Sequence, residues 1–188
     1  MIKIGITGSL ASGKSTFSKY LSKKKHPLFN ADKVVSKLYR NKDFIKKLVR
    51  TFKLHEKKNI KKNIKYLIKT NNKKIKKLEL LIHPRVRLEI KNFVKKKKNS
   101  KIIIFEIPLL IESKLMKFFD LIVYIGAPKI IRLNRYLKKG GSKKIFNLLD
   151  KRQAKPQKKV KFSDIAINNN NSLRILKNNA KKLIKKYE

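Results

Sequence analysis

Residues 2–7, Ile-Lys-Ile-Gly-Ile-Thr, are apolar and β-branched with one lysine, the pattern of a buried parallel strand. Gly8 to Ser12 reads as a loop. From Gly13 onward Phe17, Tyr20 and Leu21 fall at helical spacing, so a helix opens at the lysine that follows Gly13. HPLFNAD, residues 26–32, predicts a second short strand ending at Asn30 to Asp32. Residues 33–95 carry apolar positions at three- and four-residue steps and no glycine. Val34, Val35 and Leu38 begin the series, Phe44, Leu48, Phe52, Ile64, Leu67 and Ile68 continue it, and Ile75, Leu78, Leu81 and Ile82 close it. This block predicts a helical subdomain. KIIIFEIPLLIE, residues 101–112, is the strongest strand signal, stopped by Pro108, and DLIVYIG, residues 120–126, is another. Pro128 opens a helix where its missing N–H costs nothing, and Gly140 with Gly141 breaks it. A basic helix over about 142–154, a short strand at DIAINNN and a closing helix over 173–187 complete the chain. Strands alternating with helices predict an α/β fold whose parallel sheet is covered on both faces.

Composition adds limits. The chain has 188 residues, 41% of them hydrophobic, enough for a single domain with a real core. It has no cysteine, which removes disulfides, thiolate metal sites and a cysteine nucleophile, and fits a reducing, cytoplasmic setting. The first residues run directly into a glycine loop, unlike a secretory signal, and no apolar run approaches the ~20 residues of a membrane helix. The charge is extreme: 53 Lys and Arg against 11 Asp and Glu, a formal net of +42. Clustered cations release counterions from nucleic-acid phosphates, so non-specific sticking to nucleic acid is one reading. Drift toward A/T-rich codons is the other, because Lys, Asn and Ile are all abundant and the lysines spread along the whole chain. No aromatic-rich stacking segment accompanies them.

The chemistry sits at the start. Gly8, Gly13, Lys14 and Ser15 satisfy G-x-x-x-x-G-K-[ST] between a strand and a helix. In that setting backbone N–H groups of Gly8, Ala11, Ser12 and Gly13 turn toward phosphate oxygens, and the helix adds its positive end. Lys14 reaches the β- and γ-phosphates, Ser15 offers a hydroxyl to Mg²⁺ and Thr16 touches the α-phosphate. The loop is expected to hold the phosphates of a nucleotide. Asp32 closes the second strand, and neighbouring strands of a parallel sheet gather their carboxyl ends on one edge. It is therefore a candidate base, or else an N-cap of the next helix. Glu106 ends the third strand, where a phosphoryl-transfer enzyme places the acid that holds Mg²⁺. Arg132 and Arg135 lie three apart on one helix face and are expected to swing over the phosphates as a lid, spanning 132–157.

The ordered set GITGSLASGKST, FNADK, LELLIHPRVR, FEIPLLIES, an arginine-bearing segment and INNNNSL resembles the dephospho-coenzyme A kinase family over nearly the whole chain. The resemblance implies a P-loop NTPase-like three-layer sandwich with a parallel five-stranded sheet, a helical acceptor-binding subdomain at 33–95 and a lid. It implies ATP-dependent phosphorylation of the ribose 3′-hydroxyl of dephospho-coenzyme A, in a monomer or weak oligomer. A nucleoside monophosphate kinase and a basic nucleic-acid-binding P-loop protein are the alternatives. By match Asp32 is the base, and Lys14 and Arg135 stabilise the phosphoryl group in flight. His83 and Pro84 belong to the acceptor-binding subdomain, and Leu109, Leu110 and Glu112 lie near the acceptor.

This chain departs from the family's pattern at several places. Asn30 stands where the family has the first Asp of a D-A-D turn, so all base duty falls on Asp32, and restoring the acid at 30 is expected to be tolerated. Glu106 replaces an Asp. Ser9 and Ala11 replace loop glycines, and Ala11 is expected to keep a negative φ. The lid has Lys139 in place of an Arg and is one residue short.

Overall fold

The computed structural model describes residues 1–23, 25–54, 60, 63–64, 72–170 and 172–188. Among them the elements run β1 (Ile2–Gly8), α1 (Lys14–Ser22), β2 (Leu28–Asn30), α2 (Ala31–Leu38), α3 (Lys42–Phe52), α4 (Asn72–Lys96), β3 (Ile102–Glu106), a 3₁₀ turn (Met116–Phe118), β4 (Leu121–Gly126), α5 (Lys129–Leu137), α6 (Lys143–Arg152), α7 (Pro156–Lys161), β5 (Ile165–Asn168) and α8 (Leu173–Lys185). The expected apolar positions Leu67 and Ile68 lie outside the described residues, as does Asn171. The chain divides into two compact units, Met1–Asn30 with Val94–Glu188, and Ala31–Phe93.

In the first unit five strands form one sheet in the order β2-β3-β1-β4-β5, every pairing parallel. Side chains alternate across a strand, and here both faces are buried, so the strands read as apolar runs rather than as alternations. Ile4 and Ile6 of β1, Ile102 and Ile104 of β3, and Leu121, Val123 and Ile125 of β4 face one way. They pack on Phe17 and Leu21 of α1 and on Leu176, Ala180, Leu183 and Ile184 of α8. The alternate residues face the other way. A Cβ at Gly5 would press into Leu110 and Phe119, so the missing side chain lets that layer approach β1 closely. Phe105 stacks edge-on against Phe118 and Phe119 there.

The second unit is helical. Phe44, Leu48, Ile60, Ile64 and Leu78 form its core, flanked by Leu38, Ile45, Val49, Phe52, Leu81 and Ile82. Asn41 caps α3 by accepting from the Phe44 N–H at 2.9 Å.

Two local expectations change. β2 ends at Asn30, and Asp32 lies in the first turn of α2, where its charge suits the positive helix end. α4 carries Pro84 inside it, and the missing N–H leaves one turn without its backbone bond. Finally, α7 is a helix that periodicity did not announce. Its six residues are too few for a periodic signal, although Pro156 stands at the first helical position.

Candidate active site

β1 is the middle strand of five, and its last residue opens the glycine loop. Gly8 has φ 154 and Gly13 has φ 98. A Cβ on Gly8 would strike the Ile125 carbonyl oxygen, and one on Gly13 would strike the Asn169 side-chain amide. Glycine is required at both ends of the loop by conformation and by space. Between them Ala11 sits at φ 57, in the left-handed region, which overturns the negative φ expected of it. The curl of the loop decides this, and a residue with a Cβ bears strain of about 1–2 kcal/mol for it.

Outward-facing carbonyl oxygens of the loop are each met by a side-chain donor. Lys159 Nζ reaches the Gly8 oxygen at 3.4 Å, Lys14 Nζ the Ser9 oxygen at 2.8 Å, Arg132 the Leu10 oxygen at 3.3 Å and Asn169 Nδ2 the Ser12 oxygen at 2.8 Å. On the Leu10 N–H the arrangement inverts, because it donates to Gln153 Oε1 at 2.8 Å. A loop whose carbonyls are bound from outside has its remaining amides and the start of α1 to offer to an anion.

Two hard oxygens meet at the opening of α1. Ser15 Oγ donates to Glu106 Oε1, and Asn30 Nδ2 donates to Glu106 Oε2 at 2.7 Å. Asn30 and Glu106 are register partners on β2 and β3, which is why the amide lies beside the carboxylate. Glu106 is only 3% exposed, so both of its oxygens must find donors within the protein. The Ser15 proton points at Glu106, leaving its lone pairs for a cation. No group of three or more His, Cys, Asp or Glu that could hold a metal occurs among the described residues. A hydroxyl and one carboxylate are the sparse oxygen set that suits Mg²⁺ shared with phosphates and water.

The lid arginines separate. Arg132 is tied down in the structure. It is 4% exposed, pairs with Asp150, donates Nε–H to the Ala127 oxygen at 3.0 Å and lies over the Phe146 ring. With its guanidinium bound to Asp150, Ala127 and Leu10, it is a tie between α5, α6 and the loop. Arg135 donates to the Asn169 oxygen at 3.0 Å, and its other terminal nitrogen, Nη1, is buried with no hydrogen-bond partner among the described residues.

The PLLIE segment turns inward. Leu110 is fully buried and packs where a Gly5 side chain would be, so it serves the core and presents no surface to a substrate. Glu112 Oε1 accepts from the Ala154 N–H at 2.8 Å and pairs with Lys159 Nζ at 3.0 Å. Glu112, expected near the acceptor, is bound to the segment before α7. Leu109 is half-buried and lends its carbonyl to Ser113 Oγ.

His83 lies half-buried in α4. Burial is the main force lowering its pKa, with Glu79 opposing and Arg87 adding to the shift. Asp32 is exposed at the start of α2.

Asn169 escaped sequence reasoning as a functional residue. It is 5% exposed and joins Ser12, Gly126 and Arg135, its own N–H donating to the Gly126 oxygen at 2.7 Å. The INNNNSL segment carried the signal, without saying which asparagine turns inward. Lys159 and Gln153 had no signal, being one lysine among many and one amide on a basic segment.

A central parallel strand, a glycine loop, a helix opening on lysine and serine, and a carboxylate on the next strand together define a P-loop phosphotransferase. The Dephospho-CoA kinase family model matches residues 2–174. A dephospho-CoA kinase of Fusobacterium nucleatum is 35% identical over 175 residues, covering 90% of each chain. One of Rickettsia conorii is 34% identical over 189 residues, covering all of this chain and 98% of its own. The crystal structure of TT1252 from Thermus thermophilus aligns with TM-score 0.84 at 25% identity, over 100% of this chain and 98% of that one. The chain belongs to the dephospho-CoA kinase family.

Proposed function

We propose that the protein transfers the γ-phosphoryl group of ATP to the ribose 3′-hydroxyl of dephospho-coenzyme A, giving coenzyme A and ADP. One observation carries the reading: the Ser15–Glu106 pair stands at the mouth of a loop whose carbonyls are bound from outside, in a chain matched along its length by dephospho-CoA kinases.

The loop amides that remain and the start of α1 hold the phosphate tail, and Thr16 touches the α-phosphate. Lys14, released from the Ser9 oxygen, spans the β- and γ-phosphates. Ser15 and Glu106 hold Mg²⁺, which when bound neutralises charge on the phosphate oxygens. Asp32 accepts the proton of the 3′-hydroxyl as that oxygen bonds to the γ-phosphorus and the bridge to the β-phosphate breaks. Arg135, whose second terminal nitrogen has no hydrogen-bond partner among the described residues, stabilises the phosphoryl group in transit. The helical unit, with His83 and Pro84, takes the acceptor.

The test is an acceptor panel: ATP, Mg²⁺ and dephospho-coenzyme A, run beside nucleoside monophosphates. Turnover of dephospho-coenzyme A alone is expected, and turnover of a monophosphate instead would reassign the protein to the nucleotide kinases. In the same assay Asp32→Asn is expected to lower kcat by ~10²-fold or more while leaving ATP affinity nearly intact. Full activity in that variant would remove Asp32 as the base.

A further inference from the structure

Lys159 is 0% exposed, although it is one of 53 basic residues in a chain that leaves most of them in water. Burying an ammonium is costly unless donors and charge are met, so its setting calls for a reason. Its Nζ lies 3.0 Å from the Pro108 oxygen, 3.4 Å from the Gly8 oxygen and 3.0 Å from Glu112 Oε1. Those three groups belong to the turn after β3, the first residue of the glycine loop and the inward-facing carboxylate. Thr7 Oγ1 donates to the same Pro108 oxygen at 3.2 Å, which binds that turn to β1 as well. Glu112 is in turn held by the Ala154 N–H, just before α7. Its second oxygen is buried with no hydrogen-bond partner among the described residues, and Lys159 and the Ala154 amide are the groups that meet its first. Upstream, Gln153 and Arg132 bind the Leu10 N–H and oxygen.

We propose that Lys159 is a positioning residue for the nucleotide: it locks α7 and the segment before it as a collar on the outside of the glycine loop and so holds the loop in its phosphate-accepting curl. Two donors, Arg132 and Lys159, and one acceptor, Gln153, reach a loop only six residues long, together with Asn169 from beyond β5. The ammonium also places a positive charge directly behind Gly8, where it favours a bound polyanion. By this reading the part of residues 132–157 that contacts the loop is a fixed support, and closure over a substrate belongs to other parts of that segment.

The inference rests on the loop being an ATP site, and its test separates the two. Hydrogen exchange is measured on the unaltered chain with and without ATP and Mg²⁺. Protection appearing over residues 8–16 upholds the nucleotide site. Protection appearing also over 156–163 upholds the collar, because a support ordered with the loop must tighten when the loop does. Protection at 8–16 without any at 156–163 overturns the collar and leaves the site standing, whereas no protection at 8–16 overturns the site itself.

A pair of variants adds the magnitude. Lys159→Met alone strands Glu112 and loses stability, so the Lys159→Met/Glu112→Gln double variant, which removes both charges, is the working form. Circular dichroism checks its fold and calorimetry its ATP affinity. The expected result is an ATP Kd raised tenfold or more, the scale of a lost hydrogen bond to a charged donor, with the KM for dephospho-coenzyme A at saturating ATP within about twofold. An unchanged ATP Kd, or equal losses for ATP and acceptor, would leave Lys159 a purely structural ion pair and end the proposal.

Discussion

Two side chains that differ from loop and turn residues common in the family show how far one position can be read. At Ala11 the left-handed φ of 57 costs about 1–2 kcal/mol, and glycine would relieve it. Glycine also makes the unfolded chain freer, which takes back about 0.4–1 kcal/mol. Relief is the larger, so Ala11→Gly is expected to raise the melting temperature by a few degrees in thermal denaturation. At Asn30 the structure reverses what the family pattern suggests. Its amide donates to Glu106 at 2.7 Å, and an aspartate there would set two acceptors of like charge face to face. Asn30→Asp is therefore expected to destabilise by about 1.5–3 kcal/mol, the value of a charge-assisted bond, as a lower melting temperature in EDTA. A variant as stable as the parent would show that Asn30 does not hold Glu106.

Among the elements, α4 has a consequence for pH. His83 is half-buried in that helix and its pKa is lowered chiefly by burial. The folded state then binds the proton less readily than the unfolded state, whose histidine titrates near ~6.5. The stability linked to this group is full above that value and is lost as pH falls through the lowered folded value. Thermal melts between pH 7.5 and 5 are expected to show a decline that His83→Gln reduces. Pro84 next to it lies inside the same helix, which continues past the missing backbone bond. On the sheet the matter is simpler: burial on both faces makes β1, β3 and β4 legible as apolar runs.

Over the whole molecule, a net charge of +42 acts on both stability and encounter. Like charges repel within the compact state, and salt screens them over a Debye length of ~8 Å at physiological ionic strength. The melting temperature is expected to rise with sodium chloride between 20 and 300 mM, on the order of several degrees. Across the same range the KM values for ATP and dephospho-coenzyme A are expected to rise, since both substrates are polyanions drawn in by the same field. A KM flat with salt would show that the charge plays no part in capture. No helix among the described residues is long and apolar enough to cross a membrane.

What the amino-acid order alone determined was whatever depends on neighbours in the chain. The glycine spacing, the strand before it, the helix after it and the carboxylate closing Ile-Ile-Ile-Phe are local patterns, and local patterns survive in a one-dimensional string. Tertiary structure decided which charges face inward. Nothing beside Lys159 in the chain separates it from Lys158, and nothing marks Asn169 apart from Asn168 and Asn170. The difference is made by Gly8, Pro108, Glu112 and Ser12, residues 47 to 157 positions away, whose oxygens meet those donors only after the sheet has formed. Arg132 was legible as a cation near the loop, but its partners Asp150 and Leu10 turned it from a swinging arm into a tie. A buried charge takes its role from partners that only folding can bring to it.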